Sequence, residues 1–352
     1  MNILELKSYH ALNLAYVSNY EALKKILGIH GSWHKAWAAI QNNLAGLPLG
    51  RRVDADLEWL KLEQNDVRLM LNTDKDFPAL LKEIPWSPHG LYIRGAELND
   101  KDKLIAIVGT RKASSHGKKI ARQFASSLAE RGLTVVSGLA LGIDAAAHEG
   151  TLDAKGKTIA VLANGLDRVY PRYHEKLAEK ILDSHGTLIS EYPLGTPSLP
   201  HQFIERNRIV SGFSLGVIIV EAPKESGALA TARFALEQNR EIFVVPGQID
   251  NPNYAGSHEL IKSGAALTTS VADVLTNLNL ETRIIQPTLL AERLQLDENQ
   301  RLVINVLKAV GEKIEIDRIA TLANLEVSAV NRLLSFLTVK GIVKEENGKY
   351  YI

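Results

Sequence analysis

Six short aliphatic runs, each followed by a stretch of helical periodicity, constrain this chain more than any other feature. They are Leu104–Val108, Leu133–Val136, Thr158–Leu162, Leu188–Ser190, Leu215–Val220 and Glu241–Val245. A strand that is apolar along its whole length has to be buried on both faces, and parallel neighbours need a long crossover, usually a helix. The alternation therefore predicts an α/β domain, a Rossmann-like parallel sheet with helices on both faces, ending near Leu278.

The flanks read differently. Residues 1–72 carry apolar positions at helical spacing in Leu12–Tyr20, Ala22–Leu27 and Leu57–Leu62, broken at Gly28, Gly31 and Gly46-Leu47-Pro48. That pattern predicts a small helical bundle. The proline-rich stretch from Phe77-Pro78 to Pro85-Trp86-Ser87-Pro88 reads as an extended connector within 73–103. Residues 281–294 read as a linker. Beyond it, in 295–352, helices over Glu298–Val310, Ile316–Ala323 and Ser328–Lys340 precede a hairpin of Val343–Glu345 and Tyr350–Ile352 around Asn347-Gly348. That order predicts a winged helix-turn-helix.

The chain has no cysteine, which excludes disulfides, thiolate metal sites and cysteine nucleophiles. No apolar run approaches the length of a membrane span, and the N-terminus lacks a leader pattern, so a cytoplasmic protein is expected. The net charge of the 352 residues is +1. Leu104 to Leu280 holds 18 Lys/Arg against 17 Asp/Glu. Any site for a polyanion must therefore gather its cations locally.

Ligands of an open parallel sheet bind at the carboxyl ends of strands, beside helix N-termini. Four loops occupy such positions. After the first strand, Gly109, Thr110, Arg111 and Lys112 offer approachable amides and two cations; an ordinary turn with a solvated Arg-Lys pair reads equally well. After the second, Ser137 and Gly138 begin another glycine-containing turn, where Asp144 reads best as a helix cap. After the fourth comes a long loop and then Gln202, Phe203, Arg206, Asn207 and Arg208. Here a ring beside arginines suits single-stranded nucleic acid, because bases stack on the ring while arginines hold phosphates. The competing reading has Phe203 in the core and the arginines paired with Glu191 and Glu205. After the fifth, Ser226 reads as a helix cap beside Gly227 and Thr231, with Lys224 as a further charge. The fold would bring all four loops to one rim.

Catalytic patterns are sparse. GxGxxG, GxxxxGK[ST] and HExxH are absent, and no GxSxG elbow precedes a helix. His148, His174 and His258 read as capping or surface histidines. No metal and no cofactor is expected.

Several segments resemble the DNA-processing protein A (DprA/Smf) family. They are Ile107-Val108-Gly109-Thr110-Arg111, Ser137 through His148, and Gly165-Leu166-Asp167-Arg168-Val169-Tyr170-Pro171. Phe203 through Gly212, Val245-Pro246-Gly247 and Gly256 through Ala265 complete the series. The resemblance implies a non-catalytic protein that binds and protects single-stranded DNA and loads RecA onto it, as in natural transformation. It also implies an N-terminal SAM-like helical domain and a C-terminal winged helix. The family's DNA-binding arginine falls on Arg111, its groove phenylalanine on Phe203, and its Arg-Asn-Arg segment on Arg206, Asn207 and Arg208. Homodimerisation through the end of the sheet domain is implied, by position at His258, Ile261 and Leu267. Ile204 stands where the family has a proline, and Ala228 where it has a second serine.

Two other readings stay open. Phosphoribohydrolases of the LOG group share this fold branch, but their Pro-Gly-Gly-x-Gly-Thr-x-x-Glu motif has no counterpart in Lys224–Thr231. A duplex-binding regulator would use the helix at Ser328–Lys340. Residues 297–352 hold 8 Lys/Arg and 8 Asp/Glu, a balance that predicts weak duplex affinity.

Overall fold

The computed structural model describes residues 2–16, 18–42, 53–99, 101–280, 297–339, 342–346 and 348–351. Two compact units emerge, Met1–Glu281 and Thr282–Ile352. The expected linker at 281–294 and the break at Gly46-Leu47-Pro48 lie outside the described residues, as does Asn347.

The first unit opens with α1 (Ile3–Ala15), α2 (Tyr20–His30), α3 (Trp33–Asn42) and α4 (Ala55–Gln64). Side-chain oxygens of Asn2, Asn19 and Asp54 accept amides at the starts of α1, α2 and α4, which fixes where those helices begin. Asn19 thus splits the run Leu12–Tyr20, expected as one helical segment: its first part ends α1 and its last residue starts α2. Glu5 of α1 accepts from the amides of Trp33 and His34 at 2.9 and 3.3 Å, so one helix caps another.

Next come β1 (Arg68–Leu71), α5 (Ala79–Lys82) and β2 (Gly90–Gly95). Both strands correct the sequence reading, which had helix up to residue 72 and an extended connector after it. They form antiparallel ladders, β1 on β2 and β2 on β6. Four residues of alternating burial in β1 are too few to separate from a helical run by periodicity. What fixes them is tertiary: Leu6, Leu12, Trp33 and Leu62 pack with Leu69, Leu71 and Tyr92 in one core.

The remaining elements alternate as the aliphatic runs require. They are β3 (Leu104–Val108), α6 (Ser115–Ala129), β4 (Thr134–Ser137), α7 (Ile143–Asp153), β5 (Thr158–Leu162), α8 (Glu175–Asp183) and β6 (Thr187–Ser190). They continue through α9 (Pro200–Gly212), β7 (Gly216–Ile219), α10 (Gly227–Glu237), β8 (Glu241–Val244), α11 (Ala255–Lys262), β9 (Ala266–Leu267) and α12 (Val271–Asn277). Every residue of β3 to β7 is buried. The sheet order is β1-β2-β6-β5-β4-β3-β7-β8-β9, with β3 to β9 mutually parallel. Strand order reverses between β3 and β7. The crevice beyond their carboxyl ends is where such sheets bind ligands.

The second unit contains α13 (Glu298–Val310), β10 (Ile314–Glu315), α14 (Ile316–Ala323), α15 (Val327–Val339), β11 (Lys344–Glu346) and β12 (Lys349–Tyr351). Its strands form an antiparallel sheet ordered β10-β12-β11, over a core including Val303, Leu307, Ile319, Leu334 and Leu337. The third strand, β10, was not foreseen; two residues carry no periodicity.

Candidate nucleic-acid interface

At the carboxyl end of β3 the chain turns under tight backbone control. The amide of Thr110 donates to the Glu221 carbonyl at 2.7 Å, and the amide of Lys112 to Thr110 Oγ1 at 3.2 Å. Gly142, just before α7, sits at φ +85°, and a Cβ there would lie 2.3 Å from the Thr110 carbonyl oxygen. Glycine is therefore what lets the loops after β3 and β4 touch. The result is a rigid turn from which Arg111 and Lys112 project, exposed.

The N-terminus of α6 is not an open anion site. Ser114 Oγ accepts from the Gly117 amide at 2.9 Å, and the buried Glu221 carboxylate accepts from the Ser114 amide at 2.9 Å and hydroxyl at 2.5 Å. A carboxylate of this chain already takes the place that a phosphate would take. The start of α10 differs. Ser226 caps it by accepting from the Ala228 amide at 3.2 Å, while Gly227 is exposed, with nothing within 4 Å of a built Cβ. That helix end opens onto the crevice.

The crevice is a cleft of about 610 Å³. Its walls include Gly109, Thr110, Arg111 and Lys112 from the first loop, Gly138 from the second, and Ser226, Gly227 and Thr231 from α10. Phe203, Arg206 and Asn207 of α9 and Tyr170 of the loop after β5 line it too, as do two acidic residues, the buried Asp144 and the exposed Glu225. The Arg111 guanidinium carbon lies 4.7 Å from the Phe203 ring centre, and the Tyr170 ring centre lies 5.4 Å from the same ring. Asn207 Nδ2 donates to the Gly227 carbonyl at 3.2 Å, tying α9 to α10.

The other expected site residues stand elsewhere or serve the fold. Arg206 is buried, and its Nη1 donates to the carbonyls of Gly138 and Val161. Burial pulls its guanidinium down to about 10, against the pull of nearby Asp144. Burial pushes the Asp144 carboxyl up, opposed first by Arg206 and then by the Ala140 and Gly138 amides it accepts from. Arg206 is thus a buried strut of the cleft wall with its hydrogen bonds directed inward.

Arg208 leaves the cleft. It is 1% exposed and pairs with both Glu191 oxygens at 2.7 and 2.8 Å, its guanidinium 4.3 Å from the Trp86 ring centre. The helical period accounts for this, since residues 206 and 208 lie about 200° apart around a helix. Gln202 is buried and accepts from the Leu199 amide at 2.6 Å, closing the first turn of α9. Ser137 is buried and donates to the Ile107 carbonyl at 2.7 Å. Thr231, also buried, donates back to the Gly227 carbonyl at 3.5 Å. Lys224 pairs with Glu259 at 3.5 Å, outside the cleft lining.

Of the residues expected at a dimer interface, Leu267 is 54% exposed on the edge strand β9. Ile261 packs into the core beneath α11, and His258 Nε2 lies 3.2 Å from the Gly247 carbonyl. His148 and His174 are not surface residues. Both are buried, with Nδ1 2.7 Å from Thr158 Oγ1 and 2.8 Å from the Leu139 carbonyl respectively. Burial takes His148 down to about 3, so it stays neutral. Among the described residues no cluster of three or more His, Cys, Asp or Glu could hold a metal ion.

Glu221, Tyr170 and the cleft-lining Glu225 are among the residues of the site that escaped the sequence reading. Glu221 looked like a strand end, and nothing local announces a buried carboxylate. Tyr170 stood in a quoted motif without a role; an aromatic followed by proline in a loop after a strand was the available signal.

Fold and site together define a doubly wound α/β protein with a cationic, aromatic cleft where the strand order reverses. The family model described as DNA recombination-mediator protein A matches residues 68–279, starting at β1. The chain belongs to that family, DprA/Smf. It is 44% identical over 229 residues to protein Smf of Escherichia coli K12, covering 65% of this chain and 60% of that protein. It is 40% identical over 207 residues to DNA processing protein DprA of Bacillus subtilis 168, covering 58% and 69%. The solved structure of DprA from Streptococcus pneumoniae matches with TM-score 0.59 and 35% identity over 69% of this chain and 80% of that one. DNA processing protein A from Helicobacter pylori, described by its single-stranded DNA binding mode, matches with TM-score 0.53 and 28% identity over 60% and 94%. The matched stretch spans 60% and 55% of the Smf proteins of E. coli and Synechocystis. Among the described residues no helix is long and apolar enough to cross a membrane.

Proposed function

We propose that this protein binds single-stranded DNA in the cleft at the β3/β7 reversal, shields it, and passes it to the recombinase RecA in the cytoplasm during natural transformation. The observation that carries the reading is Arg111 poised 4.7 Å from the Phe203 ring beside the open end of α10. A fixed cation, an open helix N-terminus and aromatic rings in one cleft are the parts a lone sugar-phosphate chain requires. The single-stranded DNA binding mode described for the H. pylori relative supports the same reading.

In this reading Arg111 and Lys112 meet phosphates, and the open Gly227 lets the backbone come close. Gly109 and Gly138 give way to Ile143 and Arg206 in the cleft wall. Ser226 caps the helix end that faces the DNA strand, and the cleft performs no catalysis. A homodimer forms through the β9 edge around Leu267. The chain divides into a helical unit ending before Arg68, the sheet domain to 280, and a winged helix in 295–352 that docks protein or DNA. The test is binding of single-stranded and duplex oligonucleotides across a salt titration. Single strands should bind more tightly at every salt concentration, with the logarithm of affinity falling linearly in log salt. Equal affinity for both forms refutes the reading.

A further inference from the structure

We infer that Tyr170, not Phe203, is the ring on which a nucleobase stacks, and that Phe203 is a positioning residue that holds Arg111 and Tyr170 in place. This rests on the cleft being the single-strand site. Phe203 is half-buried and already occupied. Arg111 covers it at 4.7 Å, the buried Arg206 guanidinium carbon lies 6.0 Å from its centre, and Tyr170 packs against it at 5.4 Å with the planes tilted by 56°. A ring flanked by two guanidiniums and a tyrosine has little surface left to offer. Two rings 5.4 Å apart and in contact also leave no slot for a base between them.

Tyr170 is 49% exposed while lining the same cleft. Half of it is anchored on Phe203, and the rest faces solvent where a base would arrive. Aromatic side chains make good platforms because a preset ring loses little freedom on binding. The cations of the same cleft, Arg111 and Lys112, have no carboxylate partner within ion-pair distance among the described residues. Phosphates would therefore follow those cations while a base turns toward Tyr170. Tyr173, three residues on, is 86% exposed but does not line the cleft. It separates placement from mere exposure.

The experiment compares oligo-dT with an abasic oligomer of equal length, using the full chain. Tyr170→Ala and Tyr170→Leu should each weaken oligo-dT binding about tenfold, within the range for losing one stacked base. Affinity for the abasic strand should stay within about twofold, and so should the salt slope. Tyr170→Phe should restore binding, and Tyr173→Ala should change nothing. The leucine variant keeps apolar bulk against Phe203, and unchanged circular dichroism for it shows that the fold is intact. An equal loss on both strands, no loss on oligo-dT, or a matching loss from Tyr173→Ala overturns the stacking role. If Arg111→Ala weakens oligo-dT binding about tenfold or more while Tyr170→Ala leaves it unchanged, the cleft stands and this inference falls. If wild-type protein binds neither strand, both fall.

Discussion

The loop after β3 and the helix α9 both bring arginines to the reversal point of the sheet, and the two regions use them in opposite ways. Arg111 leaves a turn whose own backbone groups are bonded at Thr110 and Lys112, so its side chain is spare and exposed. Arg206 and Arg208 point from α9 into the protein, and both are buried against carbonyls or a carboxylate. A buried guanidinium must find acceptors within the protein, because leaving it unpaired costs several kcal/mol. Its partners are then spoken for before any ligand arrives. The comparison teaches that an arginine's role in such a site follows from where its hydrogen bonds already go, and three arginines near one cleft do not make three phosphate contacts.

The largest expected effect comes from the buried side. Arg206→Ala would strand the carbonyls of Gly138 and Val161 and leave the Asp144 carboxyl without its strongest favourable neighbour. We expect a loss of about 3 kcal/mol or more of stability, measured by urea denaturation. A variant as stable as wild type that binds DNA poorly would instead make Arg206 a ligand contact. Arg111→Ala should do the reverse: about tenfold or greater loss of oligo-dT affinity, from about 1.4 kcal/mol of a charge-assisted contact. Its unfolding midpoint should match wild type, as for most exposed positions. Unchanged affinity breaks the comparison from that end. Phe203→Ala should be smaller still, about fivefold in affinity, because Arg111 and Tyr170 lose their support without being removed. Its salt slope should fall part of the way toward that of Arg111→Ala; a slope equal to wild type would mean that Arg111 keeps its place without the ring.

Much of this site was legible early. The strand ends at Val108, Leu162 and Ser190 fall where the aliphatic runs ended, so the placement of the loops followed. Arg111, Lys112, Phe203 and Gly227 were expected at the rim and line one cleft. Gln202, Ser137, Lys224 and Arg208 were expected beside them and are elsewhere or engaged. Three of these four have partners far along the chain, Glu191 for Arg208, Ile107 for Ser137 and Glu259 for Lys224, while Gln202 closes its own helix start onto Leu199. The competing sequence reading names Glu191 as an arginine partner, but a local pattern cannot choose between that pairing and a free arginine. The same limit hid β1 and β2, whose register depends on the helices and on β6 across the sheet.

The amino-acid order by itself determined the parallel sheet, its crossover helices and the rim on which polar loops collect. It could do so because burial of continuous apolar strands is a requirement on each segment separately. Only the tertiary structure decided which polar groups remain available. That outcome depends on the acceptors each side chain meets, and Glu221 inside the α6 terminus shows a cradle expected for a ligand filled by the chain's own carboxylate.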